Sequence, residues 1–527
     1  MGTFISGTGA PGVHANVNTS FIGMPAPPES SDAFFVAGYS TWGPVNQART
    51  ITGLADFTRQ FGGLHPNSHL ANSIHHFFQK GGQRAVVCRV VGDDAAVGTL
   101  AINDRAGVPV ATIRIDAKYP SSVVDVRVKI EAGDEANTVK ITVRSVKLAG
   151  SLPLEVFNNV KLTFTENELD AINTGVSKLT TLQFINDRSN MIQVTNLNSA
   201  TVAPANLPAL TVETVLAGGD DDFAGLTDAS FIGTDDGTTK TGLQVFNNED
   251  EGTGQVALPG VTTQAAHAAL LAHAETFKRF ALLDLPLGTD KDAAVTARRL
   301  LGSSYGAIYW PWIQQSDFEG TGTKKFYPPS GAIAGIFARA EFEEGIHKAP
   351  ANYALANVLD VEHASNGSPQ TDNATRAFLN RNEVNVITPL SEQGVRIYGA
   401  RVLASFGRVT AVHQQRTLNQ IYYALKKSYQ SMPFAVLDAE GKLFREARSI
   451  SEQYLRSLYR SGALTSTNGK EDGAFTVICD LSNNPPETLD QNQLYVQVGV
   501  HLVGMAEMVF INIDSVPLAT SLGVLQQ

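Results

Sequence analysis

The chain has 527 residues, of which 43% are hydrophobic and 17% charged, with a net charge of −11 and two cysteines. That length exceeds one ordinary core and suggests ~3 domains. The acidic balance argues against a nucleic-acid binder, which needs a basic face to neutralise phosphate. Cys88 and Cys479 lie in apolar, strand-like runs. Two such residues make neither a disulfide framework nor a zinc site. They read as buried core thiols, with a bridge between domains or subunits as the alternative. Residues 1–18 lack the basic segment and apolar run of a secretory signal. The stretch closest to a membrane span, 494–513, alternates and carries Gln497, His501, Glu507 and Asn512, so it reads as strands. A reducing cytoplasm is the expected place of synthesis.

Residues 1–20 are small, polar and Gly-rich, with a short alternation at Val13, Ala15 and Val17, and predict an extended arm. A buried strand is expected over 34–39, a short helix over 54–61 closed by Gly62-Gly63, a helix over 68–80 stopped by Gly81, and a second buried strand over 85–91. Strand, helix, strand within this distance predicts a parallel crossover. From 93 to about 217 the character changes. Val-, Ile- and Thr-rich strand signals recur at 108–116, 123–131 and 137–146, and Thr165 and Glu168 have capping-box spacing. This reads as a β-rich insertion with a core of its own.

Helix and strand then alternate again. Helices are expected over 263–280, from Asp290 to 301, over 330–343 and over 373–380, with strands at 281–285, 307–312, 384–387 and 395–402. Two long helices follow, 412–430 and 441–459. Residues 474–479 open a C-terminal strand region. Leu494, Val496, Val498, Val500 and Leu502 are apolar at every second position, the pattern of a half-buried strand. A second apolar run, 507–513, predicts a hairpin with it. The tail beyond, with Val516, Leu518, Leu522, Val524 and Leu525, is apolar and too short to bury its own surface. It is expected to be a strand meant for another subunit.

Four stretches partly fit chemical motifs. Gly7-Thr8-Gly9-Ala10-Pro11-Gly12 fits the dinucleotide pattern, but only six residues precede it and no strand can. Gly302-Ser303-Ser304-Tyr305-Gly306 fits the hydrolase elbow, yet the order is helix, turn, strand, the reverse of what Ser304 would need. His65, His69, His75 and His76 lack carboxylate or cysteine companions at ligand spacing and read as helix-surface or cap histidines. Asp220-Asp221-Asp222 and Asp235-Asp236 lack a calcium-loop pattern and read as solvated turns. No paired acid and base or activated nucleophile emerges, so no catalytic residue, cofactor or metal is expected.

Several segments, in order, resemble one family. They are Pro11-Gly12-Val13, Phe21-Ile22-Gly23, Gly43-Pro44-Val45-Asn46, Phe57 with Phe61-Gly62-Gly63, Phe77-Phe78 with Gly81-Gly82, and Val86 with Arg89-Val90. Tyr309-Trp310-Pro311-Trp312, then Tyr327-Pro328-Pro329-Ser330-Gly331-Ala332, Ala334-Gly335, and Gly345 with Ala349-Pro350-Ala351-Asn352 follow. Last come Asn385-Val386-Ile387 and Gly394-Val395-Arg396-Ile397-Tyr398-Gly399-Ala400-Arg401. Together they resemble the tail sheath protein of contractile-tailed phages and related contractile injection machines.

The resemblance implies a mixed α/β, multidomain chain: a discontinuous α/β sheath core, a β-rich inserted domain and extended terminal arms. The expected divisions are an arm at 1–20, core at 21–92 and 218–372, insertion at 93–217, a C-terminal sheath domain at 373–513 and an arm at 514–527. It implies a structural subunit with no enzymatic role. Its partners would be further copies of itself in a helix or in stacked, hexameric rings, the inner tail tube, the baseplate and the tail terminator, without nucleic acid or direct membrane insertion. It would be assembled in the host cytoplasm and reside in a virion tail or in a phage-derived injection particle. A cytoplasmic α/β enzyme with a β-rich, substrate-gripping insertion is the distant alternative. Val13, Ala15, Val17, Val516, Leu518, Leu522 and Val524 would be inter-subunit arm residues, and Leu494, Val496, Val498 and Val500 the strand that receives them. Basic positions on the long helices (Arg416, Lys426, Lys427, Arg445, Arg448, Arg456 and Arg460) suggest a tube contact, with Arg445, Arg448 and Arg456 the candidates and a solvated helix face the alternative.

Overall fold

The computed structural model describes residues 31–148, 155–175, 177–318, 320–362, 373–390, 392–404, 407–437 and 441–507. Both expected arms, 1–20 and 514–527, lie outside the described residues, as does the Gly7–Gly12 motif.

Strand β1 (Ala33–Gly38) is followed by β2 (Arg49–Ile51), helices α1 (Leu54–Phe61) and α2 (Leu70–Gln79), and β3 (Ala85–Arg89). The next stretch holds β4 (Thr99–Asn103), β5 (Ala111–Ala117), β6 (Val126–Ala132), β7 (Val139–Ser145) and β8 (Glu155–Val160). Helices α3 (Glu166–Asn173) and α4 (Leu182–Arg188) precede β9 (Ile192–Asn196) and β10 (Thr211–Val215). After α5 (Asp228–Ile232) come β11 (Gly254–Ala257), α6 (Gln264–Thr276), β12 (Phe280–Leu283), α7 (Lys291–Arg299), β13 (Gly306–Trp310), β14 (Ile313–Ser316), β15 (Lys324–Tyr327) and α8 (Ser330–Glu344). The chain continues through β16 (Asp360–Val361), α9 (Asn373–Arg381), β17 (Val384–Leu390) and β18 (Gly394–Tyr398). It ends with α10 (Val412–Ser428), α11 (Lys442–Arg460), β19 (Phe475–Ile478), α12 (Pro486–Asp490) and β20 (Gln497–Val500).

The centre is an eight-stranded sheet in the order β18-β17-β13-β12-β11-β1-β3-β2. Its six inner strands are parallel, and β2 and β18 close the two edges antiparallel. A parallel sheet needs helices on both faces, and the alternation of side chains supplies two apolar faces from each strand. Phe34, Val36, Leu282, Tyr309 and Ile387 point to the side covered by α1, α2 and α8. Phe35, Ala37, Leu283, Ile308, Trp310 and Val386 point to the side covered by α6, α7 and α9. The chain from 373 was expected to open a separate C-terminal domain. Instead α9, β17 and β18 complete this sheet, because Val384, Val386 and Ile387 are apolar on consecutive faces and fit only an inner position.

The β-rich stretch has its own core. Sheets β4-β5-β9 and β10-β6-β7-β8 enclose Ile113, Ile115, Val128, Ile130, Ile141 and Val143. The capping box is formed as expected, with the Thr165 hydroxyl accepting from Glu168 N–H and the Glu168 carboxylate accepting from Thr165 N–H. The stretch is fastened where it leaves and re-enters the sheet body. Arg89, fully buried at the end of β3, donates to the carbonyls of Ser40, Gly43 and Pro120 at 2.8–2.9 Å. Asp221 accepts from the Tyr39 hydroxyl at 2.7 Å and from the Ser122 backbone and hydroxyl. The Asp220–Asp222 cluster was expected to be a solvated turn. Asp221 is instead completely buried, its charge balanced by these donors and by the nearby guanidinium of Arg89.

Helices α2 and α8 cross through glycine. A Cβ at Gly331 would stand 2.4 Å from Ser73 O, and one at Gly335 would stand 2.5 Å from Phe77 O. Gly335→Ala is therefore expected to lower stability by ~1–3 kcal/mol in urea denaturation, as overpacking does. Gly302→Ala, whose added Cβ would have nothing within 4 Å, is expected to leave it unchanged.

Candidate assembly site in the C-terminal region

Helix α10 sits on the sheet body through its first half and on a second cluster through its last. Val412 belongs to the sheet-side core, whereas Ile421, Ala424 and Leu425 pack with Tyr454, Leu455 and Leu458 of α11 and with Val477 of β19. The buried faces of both long helices follow the helical period, as their sequences predict.

Strand β20 was expected to pair with 507–513. Its partner is β19, antiparallel, from Phe475↔Val500 to Ile478↔Gln497. Glu507 lies in irregular chain, and the remainder of that run is outside the described residues. The strand is also shorter than its alternation predicts. The Tyr495 N–H is taken by Asn484 Oδ1 at 2.6 Å, and its carbonyl accepts from both Asn483 and Asn484 side chains. These asparagines occupy the groups a ladder would use, so pairing begins at Gln497. Leu494, Val496, Val498 and Val500 are half-buried against the α10–α11 clusters.

Among the described residues, β19 and β20 form a sheet of two, so each strand keeps one free edge. Such a pair is marginal alone, and here the helices beneath support it. A groove of about 470 Å³ runs between α11 and β19, lined by Arg448, Glu452, Arg456, Glu471, Phe475 and Val477. The candidate tube residues Arg445, Arg448 and Arg456 are exposed along one face of α11. They do not form a purely basic ridge. Glu452 lies between Arg448 (2.8 Å) and Arg456 (3.5 Å), and Arg456 also meets Glu471 at 2.6 Å. Arg416, grouped with them by charge, is buried and pairs with Glu341.

The other candidate motifs resolve structurally. Ser304 lies in the turn between α7 and β13, in the order the sequence predicts. Cys88 and Cys479 are buried and free, and burial raises the Cys88 thiol to about 12. Among the described residues no His, Cys, Asp and Glu group could hold a metal, and no helix is long and apolar enough to cross a membrane. His76 was expected on a helix surface, but it is fully buried between the rings of Phe318 and Tyr327. The apolar face of α2 is wider than Leu70, Ile74 and Phe77 alone indicate.

His76, His267, His273 and His413 are all buried, and desolvation lowers each of them, His273 to about 3 with Arg279 adding to the effect. The unfolded chain then binds protons that the folded chain refuses, so stability is lost as pH falls below about 6.5. Asp284 opposes this, since burial raises it to about 6 and its contribution is lost as pH rises through that value. The histidines outnumber it. Urea midpoints are expected to fall between pH 7 and pH 5.5, His273 alone contributing ~1.4 kcal/mol per pH unit. A midpoint that rises over this interval would contradict the assignment.

Residues 241–402 match the family model for the phage tail sheath protein central domain. A prophage major tail sheath protein of Pseudomonas aeruginosa (strain UCBPP-PA14) is 27% identical over 241 residues, covering 45% of this chain and 58% of that relative. The fold matches the helical sheath of the anti-feeding prophage in its contracted state, with a TM-score of 0.54, 17% identity and coverage of 96% and 99%. It also matches a sheath tail protein from Listeria innocua, with a TM-score of 0.57, 14% identity and coverage of 91% and 96%.

Proposed function

We propose that this chain, which has the fold of the sheath proteins it matches, is a tail sheath protein and the structural subunit of a contractile tail. Copies polymerise around an inner tube in an extended, metastable state and contract to drive the tube through a target envelope. The observation that carries this reading is the β19–β20 pair, half-buried on a helical platform and, among the described residues, open on both edges. Open edges invite strands from other chains. A strand added there gains main-chain hydrogen bonds that are indifferent to how the sheet bodies dock. Such links hold while the bodies move between two packings, which a contracting assembly requires.

In this reading the terminal segments are the donated strands, through Val13, Ala15 and Val17 at one end and Val516, Leu518, Leu522 and Val524 at the other. Strand β20, with Val498 and Val500, together with Leu494 and Val496 in the chain leading into it, is the receiving element. The β-rich stretch 93–217 faces outward, and α11 turns its Arg445, Arg448 and Arg456 face, with its interleaved carboxylates, toward the tube. Hexameric rings, a baseplate below, a terminator above and assembly in the host cytoplasm complete the proposal. A phage-derived injection particle would use the same subunit, and capsid and portal genes beside this one would mark a phage instead.

Electron microscopy of the purified chain is expected to show tubes or striated cylinders. Uniform small particles with ligand-dependent stability would favour an enzyme. Deleting 516–527 should leave a folded monomer that no longer assembles, and normal extended sheath from that truncation would overturn the arm exchange. Labels placed within 93–217 are expected to decorate the outside of the cylinder. Labels there that block tube binding and leave the outer surface bare would reverse the assigned orientation.

A further inference from the structure

Ser31 is the first described residue, and all its polar groups are held in a buried site. Its N–H donates to Glu341 Oε1 at 2.8 Å and its hydroxyl to Glu341 Oε2 at 2.7 Å. Its carbonyl accepts from Gln255 Nε2 of β11 at 2.9 Å. Glu341, on α8, is held in turn by Arg416 of α10 at 2.7 Å, whose guanidinium lies 4.9 Å from the centre of the Phe337 ring. The Arg416 side chain is only 2% exposed and that of Glu341 10%. A carboxylate so placed keeps its geometry because its donors come from two separate parts of the chain, Ser31 ahead of β1 and Arg416 on α10.

The other end of the described chain meets the same helix. His413 Nε2–H donates to Val503 O at 3.1 Å, and Gln414 donates to the same oxygen at 3.3 Å. Met505 packs on the sheet-side core, and Glu507 pairs with Arg401. The roots of both terminal segments therefore fall within one turn of α10, at His413, Gln414 and Arg416. The helix is itself seated on the sheet body, where Asn419 donates to Arg279 O at 3.1 Å.

We propose that the first turns of α10 are a yoke, which passes tension from the N-terminal segment to the C-terminal segment without routing it through the β-rich stretch. The partners pulling on it are further copies of this chain, and this step rests on the sheath reading above. A short coupling between the two links lets a displaced neighbour on one side move the neighbour on the other, while the sheet body rides along as a rigid load.

The full chain can be held by its two ends in an optical trap. At constant load, Glu341→Gln is expected to speed the first opening about tenfold, the factor for one weakened charged hydrogen bond. Gln414→Ala, at a half-buried position whose side chain also accepts from the Thr410 and Ala411 N–H groups, should speed it in the same direction. Tyr39→Phe, at the root of the β-rich stretch, should leave it unchanged. Circular dichroism melting identifies any variant that fails to fold. An unchanged Glu341→Gln trace, or a Tyr39→Phe trace accelerated as much, overturns the yoke. Wild-type chain that forms no cylinders sinks the sheath reading on its own, whatever the trap records. Cylinders together with an unchanged Glu341→Gln trace sink the yoke alone.

Discussion

A parallel sheet exposes two apolar faces at once, and the rest of this molecule follows from covering both. Consecutive residues such as Phe34 and Phe35, or Tyr309 and Trp310, are buried in different clusters. Neither face can be left to solvent, so each crossover must deliver a helix, and the sheet body becomes a unit that does not deform easily. Glycine at 331 and 335 lets α8 approach α2 closely enough to close one of these layers. Motion in such a body is confined to what hangs from it.

What hangs from it is fastened with buried polar groups. Arg89 and Asp221 fix the β-rich stretch, while Arg416 and Glu341 fix the point where the described chain begins. Removing one partner from a buried ion pair strands the other charge at a cost of several kcal/mol. These sites therefore hold orientation and register at places where apolar packing alone would permit sliding.

Local signals in the sequence located most elements. Thr263 and Asp290 cap α6 and α7 where their residue types predict, and the Thr165–Glu168 spacing forms its capping box. The parallel crossover from β1 to β3 was equally legible. What the chain concealed depends on tertiary partners. Asp221 and Arg416 look like solvated charges until the donors that surround them, distant in sequence, are known. The start of β20 was hidden because Asn483 and Asn484 compete for the backbone of Tyr495, a contest that alternation of apolar residues does not register. The pairing of β20 with β19 joins residues separated by α12, and apolar pattern alone cannot choose between neighbours. Of the candidate site, the half-buried strand, the α11 face and the i,i+4 carboxylate Glu452 were readable, but Glu471, which also meets that face, was not, since it comes from another element.

The two bridges Ala96↔Asp220 and Thr99↔Ala217 bring the entry and exit of the β-rich stretch side by side. A module closed at its base costs its host almost no loop entropy, whatever its size. Its own core means that its substitutions are felt locally. Changes to this surface can then accumulate while the sheet, the long helices and the β19–β20 pair stay as they are.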